Sequence, residues 1–299
     1  MKIPQWKKEL PLHLMVWPAL ALVLVYSYGP MLGIIIAFQK YYPTLGFLKS
    51  EWVGWDNFEY LFHLPNIWSV VGNTLYISAM KIIAGQVVPI AAALALNEIR
   101  VRKFKRSVQT LVYLPHFLSW VILGGIMIDL LSPSTGIINQ VMGMFGLKPV
   151  FFLADNNWFP FVLVISDVWK EFGFSTIVYL AALTGINPAL YEAAVMDGAN
   201  RRRQTWHITL PGMMPVVILL ATLSMGNVLN AGFDQVFNLY STVVYESGDI
   251  IDTFVYRLGL LDYQYSVATA VGLFKSIVSL IFIAGSYFLA FRFANYRIF

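Results

Sequence analysis

The chain has 299 residues, of which 58% are hydrophobic, 16% aromatic and only 12% charged, and its formal net charge is +4. Soluble domains carry about 25% charged residues, so this composition excludes an ordinary soluble domain and indicates a chain that lies largely within a bilayer. The chain has no cysteine, which excludes disulfides and thiolate metal sites. It also lacks the Gly-x-x-x-x-Gly-Lys-Ser/Thr pattern of a nucleotide-binding phosphate loop.

Six apolar runs are long enough to cross a hydrocarbon core of about 30 Å. The first run is longer than the apolar core of a signal peptide, which has about 7–15 residues. The Gly29-Pro30 pair predicts a kink within this run. The loop at residues 132–157 has room for a short helix. We therefore predict an all-α polytopic membrane protein, with one domain over residues 1–299. Its six transmembrane helices are predicted near residues 12–38, 67–96, 107–131, 158–183, 212–231 and 266–291.

Lysines and arginines are distributed unevenly between the two sides of these spans. Thirteen lie before the first span, at residues 97–106, at residues 201–203 and after the last span, whereas four lie in the opposite loops. Short basic loops stay in the cytoplasm, so both termini and the 201–203 loop are predicted to be cytoplasmic. The basic residues occupy short loops between helices, so no nucleic-acid partner is expected. Membrane lipid is the expected surrounding.

The segment YEAAVMDGANRRRQTWHITLP, residues 191–211, is a polar interval between the fourth and fifth spans. Asn187 is positioned to cap a helix, Gly198 offers the positive φ that ends one, and Asn200 is positioned to cap the next. Leu210-Pro211 is predicted to end that second helix before the next apolar run. The segment is therefore predicted to form a compact helix–Gly–helix hook on the cytoplasmic side.

The hook resembles the EAA loop of binding-protein-dependent ABC importer permeases, whose pattern is EAA, three residues, Gly, nine residues and Ile-x-Leu-Pro. The matching residues are Glu192, Ala193, Ala194, Gly198, Ile208, Leu210 and Pro211. The resemblance implies a type I ABC importer permease fold, in which residues 185–211 form a cytoplasmic coupling loop. The residues that it implies for contact with an ATPase are Glu192, Ala193, Ala194, Asp197, Gly198, Leu210 and Pro211.

The segments WPALALVLVYSYGPMLGIIIAFQKYYP and WVGWDNFEYLF are similar to the start of the oligosaccharide and polysaccharide permeases of that superfamily. This resemblance implies saccharide uptake across the bacterial cytoplasmic membrane. The implied partners are a second homologous permease, two cytoplasmic ATPase subunits and an extracytoplasmic solute-binding protein. ATP and Mg²⁺ would bind to the ATPase subunits, so no cofactor is expected in this chain, which is not expected to be an enzyme.

Three charged residues, Asp167, Lys170 and Glu171, lie near the middle of the fourth span. Each costs about 2.5–3.5 kcal/mol on insertion scales, so they must pair or face water. Their spacing places them on one helical face and allows Lys170 to pair with Asp167. They can line a polar saccharide path or form a buried ion network, and both interpretations remain open.

A second polar face, formed by Ser224, Asn227 and Asn230, lies in the fifth span. Such residues can bind saccharide hydroxyls or join helices. The resemblance favours a path role, because the family's spans beside the EAA loop line the translocation path. A lysine in the membrane can hold a uronate carboxylate, whereas unpaired Asp167 and Glu171 would repel one. Acidic saccharides are thus weakly favoured over neutral ones.

Two other classes remain to be weighed. An ion-coupled secondary carrier could use carboxylates within the membrane, but it would not need a coupling hook. A membrane-embedded enzyme would need a cluster of catalytic groups, and His116 and His207 are isolated in the sequence, so no catalytic or metal site is predicted.

Lys81 and Lys275 are interpreted as helix-pairing or snorkelling residues. The acidic segment at residues 232–265 is a hypothetical docking face for the binding protein.

Overall fold

The computed structural model describes residues 5–294, which are mostly helical. Lys2 and Arg297, which contribute to the charge asymmetry, lie outside the described residues. The α-helices, in chain order, are α1 (Gln5–Val23), α2 (Gly46–Lys49), α3 (Asp56–His63), α4 (Ile67–Glu98), α5 (Arg102–Tyr113), α6 (Trp120–Leu131), α7 (Ile137–Met144), α8 (Phe159–Thr184), α9 (Pro188–Met196), α10 (Arg201–Gln204), α11 (Leu210–Met225), α12 (Phe233–Leu239), α13 (Tyr245–Gly248), α14 (Ile251–Tyr256) and α15 (Tyr265–Ala294).

The described chain forms two compact units. The first contains the residues up to Leu64 together with Val255–Phe274, and the second contains Pro65–Phe254 and the residues from Lys275 onward. In the first unit, β1 (Gln39–Lys40) pairs antiparallel with β2 (Glu51–Trp52). The all-α prediction is therefore correct except for this two-residue pair of strands.

The first apolar run changes its helix type along its length. Helix α1 is followed by a π turn, Leu24–Tyr28, and then by a 3₁₀ segment, Gly29–Phe38. The change from the π turn to the 3₁₀ segment falls at the Gly29-Pro30 pair, because Pro30 has no N–H to continue the α-helical hydrogen bonds. Near the end of this run, Ala37 packs with Phe58 and Ala270 in the core of the first unit.

Four helical stretches in the described part of the chain are long and apolar enough to cross a membrane. They are Leu12–Phe38, Ile67–Glu98, Arg201–Met225 and Tyr265–Phe288. Helix α8 has 26 residues, but Asp167, Lys170 and Glu171 near its centre make it more polar than these four. Length and composition together thus define four candidate spans, and a bent pair of helices offers a fifth.

The predicted third span is not one straight helix. Arg102–Phe117 and Trp120–Leu131 meet at an angle of 106°. Pro115 lies in the 3₁₀ turn that ends the first segment, and the Ser119 side chain accepts a hydrogen bond from the backbone N–H of Ile122. The prediction of an uninterrupted helix is wrong here because proline and a helix-capping serine together break it.

The second unit is built around α4, α8 and α11. Tyr179 of α8 is buried with Ala93 of α4 and Met213 of α11 in one apolar cluster. A separate cluster joins Phe159, at the other end of α8, to Val236 of α12. These contacts place the centre of α8, where the charged residues lie, between two apolar layers.

Helix α8 also approaches α5 closely at Gly173. A Cβ atom added to Gly173 would lie 1.9 Å from the carbonyl oxygen of Val112. No side chain fits in that space, so the two backbones touch because residue 173 is glycine.

The fifth span begins and ends earlier than predicted. One helix runs continuously from Arg201 to Met225 and includes a π turn at Thr205–Thr209. The prediction that Leu210-Pro211 ends the second hook helix is therefore wrong, because the wider π turn before Pro211 tolerates its missing N–H. From residue 226 to residue 232 the chain is not helical, although the predicted span extended to residue 231.

Candidate functional site

The hook forms through the local signals in its sequence. The Asn187 side chain accepts a hydrogen bond from the backbone N–H of Ala189 at 3.0 Å, and Asn200 accepts one from Arg203 at 3.0 Å. Gly198 has a φ of 74°, which is the left-handed conformation expected where the first helix ends. The predicted caps and the predicted glycine turn are confirmed.

The hook is attached to the end of α4. Arg201 lies 3.5 Å from the carboxylate of Glu98, and the Tyr191 hydroxyl lies 3.0 Å from that of Thr209. A concavity of about 960 Å³ separates the hook from the end of α4, and Glu192 lies on its wall. One exposed ion pair therefore joins the hook to the end of α4, and the Tyr191–Thr209 contact lies within the hook itself.

The exposed surface of the hook, which includes part of the concavity wall, combines charge with exposed apolar groups. Glu192, Ala193 and Asp197 are exposed, Ala194 and Leu210 are half-buried, and Pro211 is exposed. Three larger apolar side chains are also exposed, with 86% of Met196 accessible. Apolar groups grouped in this way are typical of a protein-binding surface. Those side chains are Leu190, Val195 and Met196.

A second site is a polar cavity of about 450 Å³ between α4, α8 and the non-helical segment after α11. It brings together five of the six residues predicted for the path, which come from α8, from the end of α11 and from the non-helical segment after it. Its walls also contain Ser78, whose buried hydroxyl oxygen has no hydrogen-bond partner. A dry membrane interior would leave such groups unsatisfied, so this cavity is suited to water or to a hydroxylated solute. The five residues are Asp167, Glu171, Ser224, Asn227 and Asn230.

Lys81 of α4 is the partner of Asp167. Its ammonium nitrogen lies 3.3 Å from Oδ1 of Asp167 and donates to the carbonyl oxygen of Ala231 at 2.7 Å. It also donates to Oε1 of Gln235. The pairing of Lys170 with Asp167 that the spacing allows is not the one formed, because a lysine on the neighbouring helix α4 reaches that carboxylate. Lys81 thereby ties α4 to α8 and to the segment after α11.

Lys170 is buried and takes part in a different cluster. Its Nζ lies 3.1 Å from Oε1 of Glu171 and donates to the carbonyl oxygen of His116 at 2.7 Å. The other carboxylate oxygen of Glu171 lies 2.8 Å from Nδ1 of His116. Lys170 is not among the residues that line the polar cavity. His116, which is isolated in the sequence, is therefore part of this charged cluster.

Several polar residues near the cavity could not be assigned from the sequence. Gln86 donates to Oγ of Ser224 at 3.3 Å and accepts a hydrogen bond from the Tyr179 hydroxyl. Gln235 is fully buried and donates to Oγ of Ser166 at 2.8 Å. The only available signal was a polar side chain within an apolar run, which gives no information about its partner.

The acidic segment at residues 232–265 is less exposed than its composition suggests. Asp249 is buried and accepts a hydrogen bond from the Thr253 hydroxyl at 2.8 Å. Asp252 forms an ion pair with Lys275, so Lys275 joins two parts of the second unit as the sequence suggested. These two carboxylates are structural. The exposed carboxylates of the segment are Asp234, Glu246 and Asp262.

The comparison with protein families identifies the class of the chain. Residues 85–295 match the family described as "Binding-protein-dependent transport system inner membrane component". This match covers more than half of the chain, so the chain belongs to this family. It is a multi-pass inner membrane permease subunit of an ABC transporter. This membership argues against the ion-coupled carrier.

Two relatives are similar to this chain over most of their length. The chain is 46% identical over 272 residues to the polygalacturonan/rhamnogalacturonan transport system permease protein YteP of Bacillus subtilis (strain 168), covering 91% of this chain and 85% of that protein. It is 42% identical over 287 residues to Protein LplB of the same organism, covering 96% and 90%.

Two solved structures share the fold. One is a bacterial ABC transporter involved in the import of the acidic polysaccharide alginate, with a TM-score of 0.89, 38% identity and coverage of 97% of this chain and 98% of the other. The other is a bacterial alginate ABC transporter in complex with a periplasmic protein that holds an alginate pentasaccharide. It has a TM-score of 0.90, 37% identity and coverage of 98% of both chains. The chain therefore has the ABC importer permease fold.

Proposed function

We propose that this chain is one of two permease subunits of an importer for acidic, uronate-containing oligosaccharides or polysaccharides. The observation that carries the proposal is the polar cavity, where residues from α8 and from the segment after α11 meet. The substrate class is supported by the relatives, because alginate and polygalacturonan are both polymers of uronic acids. An extracytoplasmic binding protein delivers the saccharide.

The proposed path uses the residues that the sequence suggested. Ser224, Asn227 and Asn230 offer hydroxyl and amide groups to saccharide hydroxyls, while Asp167 and Glu171 are held by basic partners. Lys170 contributes through its ion pair with Glu171. The non-helical backbone at residues 226–232 supports a water-filled path, since irregular backbone at membrane depth requires burial in protein or contact with water.

The proposed energy source is ATP, bound with Mg²⁺ by two cytoplasmic ATPase subunits. Residues 185–211 act as the coupling loop, and the exposed surface of the hook contacts one ATPase subunit. The exposed apolar side chains of the hook support this role. The residues proposed for this contact are Glu192, Ala193, Ala194, Asp197, Gly198, Leu210 and Pro211.

The proposed topology has six spans, with both termini in the cytoplasm of a bacterium. The four apolar stretches account for four spans, the bent pair α5 and α6 for one, and α8 for the sixth. Helix α8 is long enough for the hydrocarbon core, and its charges have partners, which lowers the cost of placing them in the membrane. Residues 1–299 are taken as one permease domain that includes both compact units.

The test is reconstitution of the chain with its partner permease, ATPase subunits and binding protein in proteoliposomes. We expect ATP-dependent uptake of a uronate oligosaccharide, and stimulation of ATP hydrolysis by the loaded binding protein. A neutral oligosaccharide of equal length is the control. Uptake of the neutral saccharide alone, or uptake driven by an ion gradient without ATP, would contradict the proposal.

A further inference from the structure

We propose that Lys170 and His116 form a clamp that neutralises and fixes Glu171, so that the carboxylate-lined cavity can admit an anionic saccharide. The inference rests on the proposed function, because it concerns the passage of uronates through that cavity. It assigns a specificity role to two residues that do not line the cavity. Lys170 and His116 are positioning residues, since they act through Glu171.

Glu171 is the carboxylate that a passing uronate would meet. It lines the cavity, and 41% of its side chain is accessible. Asp167, one helical turn away on the same face, is already paired with Lys81. Without a partner, Glu171 would place a full negative charge beside the carboxylates of the saccharide, in a medium that screens charge less than bulk water does.

The clamp holds both oxygens of the Glu171 carboxylate. Lys170 is 3.1 Å from Oε1, and Nδ1 of His116 is 2.8 Å from Oε2. Lys170 supplies the compensating positive charge. His116 supplies a hydrogen bond when its Nδ1 carries a proton, which is possible in the neutral or the charged ring. Both carboxylate oxygens therefore have partners, and neither partner lines the cavity.

The break between α5 and α6 positions the clamp. His116 lies in the 3₁₀ turn there, and its carbonyl oxygen accepts the hydrogen bond from Lys170 at 2.7 Å. The His116 ring stacks on Phe174 of α8, with ring centroids 4.1 Å apart and an angle of 5° between the planes. His116 thus uses its main chain to hold Lys170 and its side chain to hold Glu171. The bend between α5 and α6 therefore places His116 where it contacts both Lys170 and Glu171.

The experiment measures how many uronate oligosaccharide molecules enter proteoliposomes per ATP hydrolysed, with the complete transporter and saturating binding protein. The variants are Lys170→Met, Glu171→Gln and the double variant Lys170→Met/Glu171→Gln. The matched control is Lys275→Met, which breaks the ion pair with Asp252 away from the cavity. His116→Leu is a milder variant, because the main-chain contact with Lys170 does not depend on its side chain.

We expect Lys170→Met to lower the number of molecules imported per ATP by about tenfold, which corresponds to one uncompensated charge near the path. His116→Leu and Glu171→Gln should each lower it less than Lys170→Met does, and the double variant should recover most of the loss, because it removes the uncompensated charge. The control should keep the wild-type ratio even if less protein folds.

Two results would overturn the clamp. One is an unchanged ratio in both Lys170→Met and His116→Leu, and the other is a double variant as impaired as Lys170→Met alone. If Lys170→Met does not fold, His116→Leu and its double variant with Glu171→Gln give the same comparison. Failure of the wild-type transporter to import uronates would instead contradict the proposed function, so the two failures are distinguishable.

Discussion

Gly232 lines the polar cavity, and its lack of a side chain leaves room for Lys81. It has a φ of 90°, and a Cβ atom added to it would lie 3.1 Å from the ammonium nitrogen of Lys81. Glycine is favoured here for two reasons, the left-handed backbone and the closeness of the Lys81 ammonium group. The neighbouring carbonyl of Ala231 accepts a hydrogen bond from the same lysine.

We expect Gly232→Ala to destabilise the protein by about 1–2 kcal/mol from the backbone strain alone, with a further loss if Lys81 must move. Thermal unfolding of the purified protein in detergent measures the effect. Gly72→Ala is the matched control, because Gly72 is an exposed residue of α4 with nothing within 4 Å of an added Cβ. Equal melting temperatures for the two variants would contradict this account.

The pairing of α5 with α8 depends on the absence of a side chain at Gly173. Because an added Cβ would lie 1.9 Å from the Val112 carbonyl oxygen, Gly173→Ala must push the two helices apart. We expect a loss of about 1–3 kcal/mol or more, as for overpacking in other cores. The yield of monodisperse protein and its melting temperature are the measurements.

The control for that variant is Gly125→Ala, at an exposed glycine of α6 with free space around it. It should fold as well as the wild-type protein. If Gly173→Ala behaved in the same way, the close approach of α5 and α8 would not be important for stability.

Substitutions in the hook should impair its proposed function without unfolding the protein. Glu192 is exposed, and Gly198 has a positive φ that proline cannot adopt. We expect Glu192→Lys and Gly198→Pro to insert normally but to lower co-purification of the ATPase subunit at least about fivefold, because a reversed charge in an interface costs several kcal/mol. Glu51→Lys, an exposed reversal in the first unit, is the control. Undiminished co-purification of the ATPase with both hook variants would reject the coupling role.

The whole molecule has a topology that can be tested directly, because the chain contains no cysteine. Leu48 is fully exposed and is proposed to be extracytoplasmic, whereas Arg202 is exposed on the hook and is proposed to be cytoplasmic. We expect a membrane-impermeant thiol reagent to label Leu48→Cys in intact spheroplasts, and Arg202→Cys only after the membrane is opened. The parent chain without cysteine gives the background. Labelling of Arg202→Cys in intact spheroplasts would contradict the six-span topology.

Local features were predictable from the sequence, whereas partners across helices were not. The caps at Asn187 and Asn200 and the turn at Gly198 depend on neighbouring residues, so short-range rules were sufficient. The partner of Asp167 depends on how α4 packs against α8, and that packing is set by apolar contacts far along the chain. Spacing along a single helix suggested Lys170, but it carries no information about Lys81.

Breaks in the spans were also difficult to predict, because hydropathy averages over them. Pro115 and Ser119 together signal the bend between α5 and α6, yet the surrounding sequence remains apolar. At Pro211 the sequence predicted a helix end that the structure does not have, because the preceding π turn tolerates the proline. Proline marks a possible break, and the neighbouring hydrogen bonds determine the outcome.

The unbroken helix from Arg201 to Met225 has a mechanical consequence. Its first residue belongs to the hook, and Ser224, near its other end, lines the polar cavity. A helix rises about 1.5 Å per residue, so these two residues lie about 35 Å apart along one rod. A tilt of about 10° about the hook end would displace Ser224 sideways by about 6 Å, more than the height of one helical turn. If the helix moves as one body, a small rotation at the hook end would change the width of the cavity at the other end.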